Sequence, residues 1–146
     1  MEWKKFSESK VELPDEIIEK LADGFSDATN GLVSIVVNEI ALDSKLRGSV
    51  LQTKFQFSLY LVSEFLDNFS YRILMFGYDI NLYPVTVRIN ADILSDLNLK
   101  DPFILKHDSY DQESFTKLIK SIFETNSFEN TVTGIMKIAN RNKLPY

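Results

Sequence analysis

A chain of 146 residues with 45% hydrophobic and 25% charged content has the dimensions of one globular domain that builds its own core, so disorder is excluded. No cysteine is present, which excludes a disulfide scaffold, thiolate zinc sites and a cysteine nucleophile. A formal net charge of −5, with no Lys/Arg block against it, argues against nucleic acid, and no run of about 20 apolar residues is available to cross a membrane.

The start, Met1-Glu2-Trp3-Lys4-Lys5-Phe6, leads into acids rather than an apolar run. The expectation is a chain without a signal peptide in a reducing, cytoplasmic setting. The Asn68-Phe69-Ser70 sequon is then a chance match. With no internal repeat and no Pro/Gly/Ser linker, residues 1–146 read as a single domain.

Residues 14–24 predict a helix. Pro14 suits its first position, Asp15 and Glu16 suit its dipole, and Ile17, Ile18, Leu21 and Ala22 share a stripe that Gly24 ends. Asp27 to Gly31 is turn chemistry. Residues 32–42 are β-branched and predict a strand, although Val33, Val37, Ile40 and Ala41 also fit one helical face.

The clearest period of two runs over 50–62. Leu51, Thr53, Phe55, Phe57, Leu59 and Leu61 point one way, and Gln52, Lys54, Gln56 and Ser58 the other. A strand of such length calls for strong twist or a bulge, and from Leu59 onward a helix is the competing reading. Residues 70–78 predict a strand apolar on both faces, and 85–90 a strand alternating Val85, Val87 and Ile89 with Thr86, Arg88 and Asn90. Short connections between them favour antiparallel pairing.

Ile93, Leu94 and Leu97 suggest a short helix, and Phe103 to Leu105 a short strand or buried loop. Two helices close the chain. In 112–125 the stripe is Phe115, Leu118, Ile119, Ile122 and Phe123, with a Ser109/Gln112 capping box competing with Asp111 as cap. In 128–140 it is Phe128, Val132, Ile135, Met136 and Ala139, with Gly134 explained by a close helix contact. The fold class is therefore α+β: an antiparallel three- to four-stranded meander, preceded by one helix and followed by two C-terminal helices packed on the Phe55/Phe57/Leu59 face.

Chemistry is hard to locate. His107 is the single histidine, and His107, Asp108 and Asp111 form the one polar cluster able to supply a base with carboxylate orienters. The same residues are turn and cap formers, and a loop leading into the capped helix explains them equally. One histidine cannot build a His-rich metal site, and the acids lack the EF-hand spacing, so neither metal nor cofactor is expected. Phosphate-loop and nucleophile-elbow motifs are absent. Gly77, inside a strand, marks a bulge or a close backbone approach. Aromatic residues are plentiful, but the basic interleaving that nucleobase stacking needs is limited to Lys54, Arg72 and Arg88.

One surplus stands out. A strand apolar on both faces needs cover on both. Tyr60, Val62, Leu74, Phe76 and Tyr78 are therefore the candidate interface residues, for a homodimer or a protein partner. The resulting expectation is a small, acidic, non-catalytic protein-binding module of the accessory, immunity, antitoxin or chaperone kind. The alternative is a small-ligand-binding protein or hydrolase using His107 and its neighbouring acids.

Overall fold

Five strands run as an antiparallel meander in the computed structural model, which describes residues 1–40, 51–97 and 107–143. They are β1 (Ser34–Glu39), β2 (Phe55–Val62), β3 (Ser70–Tyr78), β4 (Val85–Ile89) and β5 (His107–Ser109), adjacent in chain order. Helices α1 (Pro14–Leu21) and α2 (Phe25–Ala28) precede the sheet, and α3 (Ala91–Asp96) follows β4. Helices α4 (Gln112–Phe123) and α5 (Asn126–Asn142) close the chain. This is the expected α+β meander, with helices before and after it.

Register explains how one face becomes the core. Phe55 lies opposite Tyr78, Phe57 opposite Phe76 and Leu59 opposite Leu74, while Leu74 and Phe76 face Ile89 and Val87. The period of two then sends all of these to one side. Phe57 stacks on Phe76 at 5.0 Å and on Tyr78 at 5.6 Å. Phe76 meets Phe115 of α4 at 6.0 Å between ring centroids. Ile17 and Ile18 of α1, the Phe115/Leu118/Ile119/Ile122 stripe of α4 and the Phe128/Val132/Ile135/Ala139 stripe of α5 join the same buried cluster. Phe55 and Phe57, expected deep inside, are only half-buried at its margin.

Several local expectations are corrected. A fifth strand exceeds the three or four foreseen, because β5 is three polar residues, too short to show alternation. The first helix stops at Leu21, since Gly24 at φ 83° breaks it and starts α2, where turn chemistry alone was expected. The long strand begins at Phe55 rather than near residue 50. The Gln56 amide donates to the carbonyls of Leu51 (2.8 Å) and Thr53 (2.9 Å), and the Thr53 hydroxyl donates to the Phe55 carbonyl (3.1 Å). Such local bonds fold 51–54 into a turn. Past Leu59 the chain remains a strand to Val62 and does not become helical.

At the end of the sheet, Asp111 is the cap of α4: its Oδ1 accepts from the Ser114 amide at 2.7 Å. Ser109 is not a cap but a buried β5 residue. Gly134 makes no close helix contact, for a Cβ there would meet nothing within 4 Å. The expectation for Phe103 to Leu105 falls outside the described residues.

Candidate functional site

The two faces of the sheet are covered differently. Ile17 and Ile18 of α1 and every buried apolar residue of α4 and α5 belong to the cluster on the Phe76 face. The opposite face carries Gln56, Ser58, Tyr60 and Val62 of β2, Arg72, Met75 and Gly77 of β3, and Thr86 and Arg88 of β4. Its buried apolar residue Met75 lies outside that cluster.

The chain itself closes one end of this second face. The 51–54 turn lies over Gly77, where a Cβ would run into Thr53 Oγ1 and would come within 3.0 Å of the Phe55 carbonyl. Gly77 is thus the close approach its position in a strand suggested. Gln56 and Ser58 are buried at this end.

The other end is shaped by a bulge. Leu59 pairs with Leu74 but Tyr60 pairs with Arg72, so Ile73 is the extra residue of β3. Its carbonyl accepts from the Asn90 amide at 2.9 Å, just past the end of β4. Because the bulge uses one residue, Arg72 and Met75 become successive positions on the second face, and Met75 is directly opposite Arg88. The two arginines are therefore diagonal neighbours on β3 and β4, and both line one cleft.

Between β3, β4 and the start of α3 lies a cleft of about 320 Å³ lined by Arg72, Met75, Arg88, Asn90, Ala91 and Leu94, among others. This is the lower end of the range for small-ligand sites. Arg72 is exposed and Arg88 half-buried, and neither guanidinium forms a hydrogen bond or ion pair with a described residue. Asn90 is held from both sides. Its amide donates to the Tyr71 hydroxyl at 3.1 Å, and its Oδ1 accepts from the Asp92 amide at 3.0 Å as the cap of α3.

The residues singled out from sequence divide between several places. Tyr60 and Val62 lie half-buried on the second face, beside the cleft. Leu74, Phe76 and Tyr78 lie in the core, 1%, 0% and 5% exposed, under the chain's own helices. The five do not form one surface, because the register pairs odd-numbered β2 residues with Leu74, Phe76 and Tyr78, which leaves the even-numbered Tyr60 and Val62 on the opposite side. His107 is in β5 opposite Val87 rather than in a loop. Asp108 accepts from the Thr86 hydroxyl at 2.9 Å on the second face, and Asp111 caps α4. Among the described residues no group of three or more His, Cys, Asp or Glu side chains comes together as a metal site. No helix among them is long and apolar enough to cross a membrane.

Arg72 and Arg88 were visible in the sequence only as sparse basic residues. What could have signalled them is that both occupy polar-face positions of neighbouring strands. Their juxtaposition needed the bulge, which alternation alone does not locate. Elsewhere, a cleft of about 400 Å³ between α1, α2 and β1 is lined by Glu19, Asp23, Asp27 and Phe25. The N-terminal segment exposes Trp3 and Phe6, with ring centroids 6.3 Å apart. The chain matches no protein-family model, no curated protein and no solved structure.

Proposed function

We propose that this protein is a non-catalytic binding module that docks a protein partner on the sheet face opposite its helices. One observation carries the reading: the second face combines half-buried Tyr60 and Val62 with two arginines that no described residue engages. Aromatic and arginine side chains of this kind are the anchors that dominate protein interfaces. An anionic partner group beside the cleft is attracted by both guanidiniums.

The alternative, a hydrolase or small-ligand binder at His107, Asp108 and Asp111, has less support. Asp108 is taken by Thr86, and Asp111 is taken by the first turn of α4.

The test is position-dependent photocrosslinking in a lysate of the native host, followed by identification of the adduct. A photoreactive residue at Val62 should give one discrete protein adduct, competed by unlabelled protein. The same group at Lys117, on the exposed side of α4, should give none. Equal labelling from both positions, or none from Val62, overturns the reading. Light scattering on the purified 16.8 kDa chain separates the homodimer case. A doubled mass with Val62 crosslinked to its counterpart makes the partner a second copy of this chain.

A further inference from the structure

We infer that the cleft between Arg72 and Arg88 is a carboxylate-recognition site, which takes an acidic side chain of the docked partner from a segment that also presents apolar residues. This inference rests on the reading of the second face as a docking surface, and it specifies the chemistry of what docks there.

The first support is charge placement. The chain has 21 acids against 16 bases, yet no described acid forms an ion pair with either arginine. Asp108, the acid closest in register to Arg88, is committed to the Thr86 hydroxyl. Two guanidiniums on neighbouring strands offer paired planar donor forks, the geometry that matches a carboxylate.

The second support is the wall of the cleft. Met75, Ala91 and Leu94 give it an apolar side next to the cations. A carboxylate on a short aliphatic stem satisfies both parts, whereas a hydrated inorganic anion satisfies only the cations. A nucleic-acid strand brings a run of phosphates to a protein of net charge −5, so two arginines are too few to hold it.

The third support is rigidity. The carbonyl of the bulge residue Ile73 is bound by the Asn90 amide, and the Asn90 side chain is bound to Tyr71 and capped onto α3. The strand positions that carry the two arginines are therefore held before any ligand arrives, which lowers the ordering cost of binding.

The experiment titrates acetyl-Leu-Glu-Leu-Glu-amide into nitrogen-15-labelled protein and follows the arginine Nε–Hε signals, assigned with R72Q and R88Q. The Arg72 and Arg88 signals should shift together and saturate, and acetyl-Leu-Gln-Leu-Gln-amide should move neither. R72Q and R88Q should each weaken binding about tenfold, the scale of a hydrogen bond to a charged group. R88K keeps the charge and loses the fork, so it should fall between wild type and R88Q. Thermal melts of each variant report whether the fold is intact. The inference is overturned if no shift saturates, or if a folded R72Q or R88Q binds as wild type does. It is also overturned if sodium phosphate or oligothymidylate saturates the same signals at lower concentration than the acidic peptide. A Val62 adduct that still forms when the peptide fails to bind would sink the carboxylate assignment while leaving the docking face in place. Loss of both removes the docking reading as well.

Discussion

The hydroxyl of Tyr78 donates to Asp15 Oδ1 at 2.6 Å, joining the last residue of β3 to the first turn of α1. Sixty-three positions separate the two residues, and this bond closes the helix onto the sheet at the end of the aromatic stack. Burial, and then the bond to Asp15, push the Tyr78 phenol well above its ordinary value. Tyr83, whose hydroxyl donates to the Glu12 carbonyl at 3.3 Å, is pushed up to about 12, mainly by burial and then by the Glu12 charge.

These two phenols predict an alkaline limit. Their folded values lie above the ordinary 10.0, so the folded chain keeps protons that the unfolded chain releases. Their contribution is complete below pH 10 and is lost as pH rises through the folded values. Urea melts should therefore show stability falling between about pH 10 and 12, more steeply in wild type than in Tyr78→Phe. At pH 7 that variant should be less stable by about 1.5–3 kcal/mol, through loss of a hydrogen bond to a charged acceptor. An unchanged alkaline slope would show that Tyr78 ionises as readily in the folded chain as in the unfolded one.

Gly77→Ala should destabilise by about 1–3 kcal/mol, because the new Cβ meets Thr53 Oγ1 and the Phe55 carbonyl. Thr53→Ala removes the nearer of these obstacles but not the carbonyl. The double variant should therefore recover part of the loss and not all of it, as measured by thermal unfolding.

Gly134→Ala should have the opposite sign. The position is exposed in the middle of α5, and a Cβ there has open space. Replacing a helical glycine with alanine is worth about 1 kcal/mol, so the melting temperature should rise. A drop would mean that the site contacts something the free chain does not show.

Ser109 is 1% exposed and its hydroxyl has no hydrogen-bond partner among the described residues. A buried polar group left unpaired costs about 1–3 kcal/mol. Ser109→Ala should therefore hold or raise stability in a chemical melt, whereas a buried serine with a good partner would lose stability on the same change. A clear loss would reveal a bound water or another partner for the hydroxyl.

Much of this architecture follows from local patterning. The alternation of Phe55, Phe57 and Leu59 and the four-residue stripes of α4 and α5 oblige each element to bury one face, and together they specify a sheet covered by helices. The same patterning puts Val85, Val87 and Ile89 inside and Arg88 outside. Three things it could not decide. Leu74, Phe76 and Tyr78 read as a surplus apolar face, because the sequence does not say which side of β3 the helices cover. The polar stretch from His107 to Asp111 read as one cluster, yet pairing with β4 made its start a strand, and the first turn of α4 claimed Asp111. The neighbourhood of Arg72 and Arg88 depends on an extra residue, Ile73, that shifts register by one. Periodicity reports which way a side chain points along its own strand. It carries no information about the offset between strands, and that offset, set by the bulge and by core packing, brought the two arginines together.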